Sequence, residues 1–378
     1  MTSALGRVRA SRFLREDLRA ALVPWLLARI LVVGTLAASR QIFEVLGRTR
    51  RPLPLSQGLL SWDAGWYRAI AEHGYASLPR EAYRFFPLYP LVGRWTGVVV
   101  FDHTAVALLL LANAGGLVFA ALLYRLTLRE TADAATARRA AWFAALLPPA
   151  MVLVLGYAES LALCLGVGLF LVVRSRRWLP AIPLGVLAGL CRPVGLLLVV
   201  PTAIEALRGW RSASTRSRAT SLAAVGSPVL GTGLYLAWVG TQTDDPRLPF
   251  SIQSRRNLRG GFVDPVNRSV DAVGDLFGTA RFGSGLHIVW IVLCAALVVV
   301  LARQLAASYA AYAATAVLLA LTASNLDSFE RYAMSTFPLV IGVALVTKRP
   351  TLERAGLVLA SGGLVAYATL AFYGRYVP

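Results

Sequence analysis

Lysine, cysteine, histidine and acid are all scarce in this chain. It has one lysine, Lys348, three cysteines, three histidines and 19 Asp plus Glu in 378 residues. Charged residues make up 15%, against about a quarter in soluble domains. A soluble globular fold is thereby excluded, and the 57% hydrophobic content gives the positive counterpart. Cys164, Cys191 and Cys294 fall in or beside apolar runs, so no disulfide framework or metal-ligand spacing is visible. His73, His103 and His287 are scattered and imply no metal site. Apolar stretches run without alternation, which excludes a transmembrane barrel. No internal repeat stands out, so the signature of an inverted-repeat transporter is missing too.

What is present is a series of apolar runs of membrane length, about 20 residues each. The net charge of +19 suggests nucleic acid, but its distribution does not. Arginines gather at 1–19, 125–139, 174–177, 208–218 and 303–354, short segments that hold few of the acids. Such clusters mark the cytoplasmic side of a membrane protein and face anionic lipid headgroups. No Lys/Arg-rich soluble domain remains to bind nucleic acid.

The expected fold is therefore an all-α polytopic membrane protein, one domain over 1–378, with the N-terminus inside and the last segment outside. The first span is a retained helix at Ala20–Ala38 rather than a cleaved signal. Arg29 within it must meet protein or water, not lipid. A long first outer loop, 39–103, should hold short amphipathic helices lying on the membrane. Further spans are expected at Thr104–Tyr124, twice within 138–177 around Leu147-Pro148-Pro149, at Thr220–Val239, Leu286–Leu301 and Leu305–Ala323, up to Val346, and up to Tyr373. Between Trp178 and Leu207 the chain is too short for two full spans, and prolines interrupt it. A pair of short helices meeting at Cys191-Arg192-Pro193 resolves this, with about eleven crossings in all. Broken backbone at that depth is tolerated only in protein or beside a wet cavity. The second outer loop is placed at 240–285.

This topology gathers Asp63, Glu159, Arg192, Gln253, Arg255, Asp327, Glu330 and Arg331 on one face. The inner face is left with short basic connectors.

The stretch Ser61–Tyr75, SWDAGWYRAIAEHGY, sets an acid between two tryptophans. Asp63 has two compatible readings. In one, Ser61 caps a helix and Asp63 sits in its first turn, favoured by the dipole. In the other, Asp63 is a general base for an acceptor hydroxyl. Trp62, Trp66 and Tyr67 are either a platform for a sugar ring or interfacial anchors. Arg84-Phe85-Phe86-Pro87-Leu88-Tyr89-Pro90 is either a stiff interfacial loop or the wall of a lipid groove. Glu159 either caps the following helix or lines a cavity. Arg192 and Arg331 suit a phosphate or pyrophosphate, which guanidinium engages bidentately. Their competing roles are buried pairing, for Arg331 with Glu330 or Asp327. Asp244-Asp245 is either a turn before Pro246 or a divalent-cation ligand.

These motifs resemble the PIG-V-like mannosyltransferases of the GT-C superfamily, in a bacterial member. The resemblance rests on Trp62-Asp63, Trp66-Tyr67, Ile70-Ala71, Gly74-Tyr75 and Phe85-Phe86-Pro87-Leu88-Tyr89-Pro90. It continues through Tyr157, Glu159-Ser160, Arg192, Gly195, Pro249-Phe250, Gln253, Arg331-Tyr332 and Phe337-Pro338. Where the pattern leads one to expect a Trp after Gln253, Arg255 and Arg256 stand instead. The resemblance implies the GT-C fold and mannose transfer from a polyprenyl-phosphate donor to a lipid or glycolipid acceptor. The reaction would invert the anomeric centre on the outer face of a bacterial plasma membrane, with Asp63 as base. Trp62, Trp66, Tyr67, Arg84, Tyr89, Glu159, Arg192, Gln253, Arg255 and Arg331 are the expected substrate-binding residues. No particular cofactor is implied, and a divalent cation is left open. The alternative is a lipid-linked-sugar flippase that forms no new bond.

Overall fold

The computed structural model describes residues 2–47, 50–256, 258–278 and 287–378, with side chains from Arg15 onward. The N-terminal Arg7, Arg9 and Arg12 side chains, residues 279–285 of the expected second outer loop and Leu286 lie outside the described residues. Seventeen α-helices follow in chain order among them. They are α1 Thr2–Val45, α2 Leu53–Gln57, α3 Asp63–His73, α4 Leu88–Val99, α5 Thr104–Thr131, α6 Ala134–Leu146, α7 Glu159–Val173 and α8 Trp178–Cys191. Then come α9 Val199–Arg208, α10 Thr215–Thr243, α11 Leu248–Gln253, α12 Pro265–Phe277, α13 His287–Gln304, α14 Ala307–Leu321, α15 Phe329–Met334, α16 Pro338–Val346 and α17 Pro350–Phe372. Among the described residues no strand forms, only one antiparallel bridge, Phe262 to Ala323.

Five helices are long and apolar enough to cross a membrane: Arg15–Val45 of α1, then α5, α10, α13 and α17. Three shorter apolar helices, α7, α8 and α14, join them. The first helix outruns its expected span at both ends, and the segment after it starts beyond Val45 rather than at Ser39. That segment holds α2, α3 and α4 with two 3-10 turns, Gly58–Leu60 and Arg80–Arg84.

Proline sets the two breaks. The residue before a proline is forced into extended backbone. Leu147 (ψ 143°) thus ends α6, and Pro148–Leu153 continues as a 3-10 turn. Carbonyls freed there need donors inside the bundle. Arg29 Nη2 donates to Leu153 O at 2.8 Å, and Asn113 Nδ2 to Val154 O at 3.2 Å. Arg29 Nε also donates to Asn113 Oδ1 at 2.9 Å. Arg29 therefore meets protein, as its position in the first span requires. Arg192 (φ −157°, ψ 154°) ends α8 in the same way, and the chain returns through a 3-10 turn, Pro193–Leu198, into α9. That return needs Gly195, because a Cβ there would sit 2.0 Å from Ala188 O. The expected short pair is thus present, and small residues let α8 lie against α10: a Cβ on Gly189 would come within 2.3 Å of Pro228 O.

At the end of the bundle where α5, α7 and α9 terminate, a polar knot ties four helices. Arg174 donates to both Glu130 oxygens, at 3.0 and 2.8 Å, and to both Glu205 oxygens, at 3.1 Å each. Ser308 of α14 donates to Glu205 Oε1 at 2.6 Å. The expectation of mere basic connectors here missed two buried acids, because partners brought together from four helices leave no local spacing to read.

Candidate active site

The helix α3 starts in an unusual way. Trp62 precedes it with φ 59° and ψ −128°, left-handed backbone that a bulky side chain rarely adopts. Such a conformation costs about 1–3 kcal/mol unless its surroundings hold it. The Trp62 indole donates to Ala371 O of α17 at 3.1 Å, and the next amide, Asp63 N–H, donates to the Tyr157 hydroxyl at 3.2 Å. Ser61, the expected N-cap, makes no side-chain cap; its hydroxyl is buried without a partner among the described residues. The cap position belongs to Trp62 because the turn before α3 is tight, Ser61 N–H closing on Gly58 O at 3.1 Å.

Asp63 then stands in the first turn, three-quarters covered. Arg331 Nη1 donates to its Oδ2 at 2.8 Å, and Arg84 Nη2 lies 3.8 Å from its Oδ1. Arg331 also lies 3.6 Å from Glu159, and Arg192 pairs closely with that same carboxylate. Two acids therefore face three arginines, leaving the cluster one positive charge in excess. Burial alone would raise the Asp63 carboxyl. Arg331, then Arg84 and the Arg331 hydrogen bond, with Arg192 behind, outweigh it and hold the group below its ordinary value.

The cluster is not saturated. The Nε of Arg84, the Nε of Arg331, the Ser160 hydroxyl and both Glu159 oxygens are buried with no hydrogen-bond partner among the described residues, Glu159 being held by its ion pairs with Arg192 and Arg331. Unspent donors beside a net positive charge favour an anion. A cavity of about 30 Å³ lies beneath Glu159 and Arg331, walled by Phe119, Phe143, Leu147 and Val152. It has room for about one water.

The aromatic residues divide into two groups. Trp66 stacks on Phe85 (5.8 Å), whose ring also carries the Arg84 guanidinium at 4.6 Å. Trp62 and Trp66 keep accessible surface beside Asp63. Tyr67 is buried edge-on against Phe85 and Tyr89, at 5.1 Å each. Tyr89 was expected at the substrate. It is fully buried, with its hydroxyl given to Leu108 O at 2.8 Å, so it supports Tyr67 from behind. Arg331 pairs with Asp63 and Glu159 rather than with its chain neighbours Glu330 and Asp327.

Gln253 and Arg255 do not join the ion pairs around Asp63, although α11 packs on the Arg80–Arg84 turn that supplies Arg84. Arg255 pairs with Glu81 at 2.5 Å on the surface, and Gln253 ends α11, its carbonyl accepting the Arg259 amide at 3.1 Å. Asp245 Oδ1 accepts the Arg247 amide at 2.9 Å, which makes Asp244-Asp245 a turn. Among the described residues no three of His, Cys, Asp and Glu converge.

Two members escaped the sequence reading of the site. Tyr157 holds Asp63, and Tyr332 accepts from Arg331 Nη2 at 3.3 Å while Arg259 lies over its ring at 4.5 Å. Both stand in motifs that carry the family resemblance, beside Glu159 and Arg331, but nothing in those motifs assigns either a role in the site.

No family model matches the chain, and no curated protein matches it by sequence. Among solved structures it is similar to the oligosaccharyltransferase of Archaeoglobus fulgidus. With the apo form it shares a TM-score of 0.48 and 15% identity over 96% of this chain and 56% of that one. With the AglB complex containing an inhibitory peptide and a dolichol-phosphate the values are 0.46, 14%, 96% and 56%. With the complex containing Zn and sulfate they are 0.47, 13%, 95% and 53%. The chain thus spans about half the length of these proteins.

Proposed function

We propose that this protein is a membrane glycosyltransferase of the GT-C type, moving mannose from a polyprenyl phosphate to a hydroxyl of a lipid or glycolipid on the extracytoplasmic face. One observation carries the reading: the Asp63 carboxylate, set among Arg331, Arg84 and Arg192 with guanidinium donors still unspent and tryptophans alongside. Asp63 Oδ2 is engaged by Arg331, so Oδ1 is the oxygen free to act. It takes the acceptor hydroxyl proton as the acceptor oxygen attacks the anomeric carbon. The bond from that carbon to the phosphate oxygen breaks, and its electron pair leaves with the polyprenyl phosphate. Configuration inverts. Arg331 and Arg84 neutralise the phosphate as its charge grows.

Trp62 and Trp66 offer apolar faces to the sugar ring. An apolar groove of about 600 Å³ between α12 and α13, walled by Val266, Val270, Ile288 and Val292, suits an isoprenoid chain. The basic segments at 125–139, 174–177 and 208–218 lie at the opposite end of the bundle from Asp63, and the positive-inside rule assigns that end to the cytoplasm. The test is incubation with a panel of polyprenyl-phosphate sugars and host lipids, followed by mass spectrometry. A new glycosidic product that requires Asp63 supports the reading. Labelled lipid crossing vesicle membranes with no new bond would make the protein a flippase.

A further inference from the structure

Behind the cluster lies a second buried set that the proposed chemistry does not use. Glu330 is the chain neighbour of Arg331 on α15, yet its carboxylate points away from Asp63. His287 Nδ1 lies 2.6 Å from Glu330 Oε1, with 6% and 1% of these side chains exposed. Tyr376 donates to Glu330 Oε2 at 3.3 Å. Tyr376 in turn packs edge-on against Tyr367 at 4.7 Å, and Tyr367 receives the Trp290 indole at 2.8 Å.

The helix they hold is weak by itself. It has six residues, fewer than two turns, and is entered through Ser328 at φ 64°. Its one functional side chain in the proposed reaction is Arg331. A buried carboxylate also demands a partner. Without His287, Glu330 loses its closest buried partner, and pairing it instead with Arg331, the next residue on α15, would draw the guanidinium off Asp63.

We propose that His287, Glu330 and Tyr376 are positioning residues that clamp α15 from behind, keeping Glu330 away from Arg331 and Arg331 aimed at the donor phosphate. This rests on the transferase reading above. The clamp also ties the site to α13, whose next residue, Ile288, walls the apolar groove.

The test uses the full chain in detergent and a long-chain polyprenyl phosphate without sugar. His287→Ala should weaken its binding and raise the donor KM about tenfold to a hundredfold, the scale of a misplaced catalytic group. kcat at saturating donor should fall far less, and the acceptor KM should hold. His287→Gln keeps a donor for Glu330 and should recover most of the binding, and Tyr376→Phe should show a weaker version of the defect. In the Arg331→Ala background, His287→Ala should add nothing further, because the clamp acts through Arg331. A folded His287→Ala protein with unchanged donor binding, or an equal loss in both backgrounds, overturns the clamp. If the wild-type chain binds no polyprenyl phosphate, the transferase reading fails. The clamp is then read from melting temperatures: losses from His287→Ala and Arg331→Ala that simply add would overturn it.

Discussion

The two ends of this helix bundle are built from the same residue types and do different things. At one end Arg174 forks across Glu130 and Glu205, and every oxygen of those carboxylates accepts a hydrogen bond. Arg208 and Ser308 add further donors to Glu205. At the other end Asp63 accepts one arginine bond, Arg84 stays at 3.8 Å, and two Nε–H groups are idle. The first arrangement closes on itself and rivets four helices. The second keeps bonding capacity in reserve, which a fold gains nothing from and a substrate can use. Burial of charge is common to both ends, and unpartnered buried atoms such as Thr127 Oγ1 and Tyr309 Oη occur near the first as well; what differs is that the idle donors at the second belong to the arginines facing Asp63.

Breaking the unsaturated end should cost the most activity. Asp63→Asn keeps the shape and removes the base, so transfer should fall about 10²- to 10⁴-fold with the protein folded; near-normal turnover in a product assay would remove Asp63 from the mechanism. Arg331→Gln should come next, weakening donor binding and changing the pH profile. In the wild type Asp63 lies below its ordinary value, so its charged form is present above that range and is lost only as pH falls through the depressed value. The acid limb of kcat/KM should then lie below the ordinary aspartate range. With Arg331 gone, its charge and its hydrogen bond no longer oppose burial and only Arg84 and Arg192 do, so the limb should move upward; an unmoved limb would separate Arg331 from Asp63.

The saturated end should respond in the opposite sense. Glu205→Ala breaks a buried pair and should cost about 3–5 kcal/mol of stability, while activity per folded molecule is unchanged. Denaturant melts paired with active-site titration would show this, and lost activity in fully folded protein would blur the contrast. Arg255→Ala should do least. Its pair with Glu81 is exposed and worth about 0–1 kcal/mol, and Arg255 makes no ion pair with Asp63 or Glu159 among the described residues. A large fall in kcat there would extend the site to the second loop.

Much of this was readable before any coordinates. Prolines before Ala150 and Val194 mark the two helix breaks because proline constrains its predecessor wherever it occurs. Asp63, Glu159, Arg192 and Arg331 were brought to one face by counting apolar spans, and they do converge. Pairing was not readable. Arg331 has acids beside it in the chain, and its partner is 268 residues away. The same holds for Arg174 and Glu205, and for His287, which looked like one of three scattered histidines. Local periodicity reports which face a side chain occupies, not which distant group meets it. The left-handed backbone at Trp62 left no trace either, because position-specific strain is imposed by packing against Ala371 rather than by the Trp itself.

The order of the cluster along the chain has a further consequence. Synthesis runs from the N-terminus. Asp63 and Arg84 emerge first, then Glu159, then Arg192, whose close partner already exists when it arrives. Arg331 comes last, carried on the weakest helix. A growing chain therefore inserts Arg192 with its charge already matched, whereas the Asp63 carboxylate waits for its strongest partner until Arg331, 268 residues later, is made. Biogenesis itself keeps the site incomplete until the bundle around it is built.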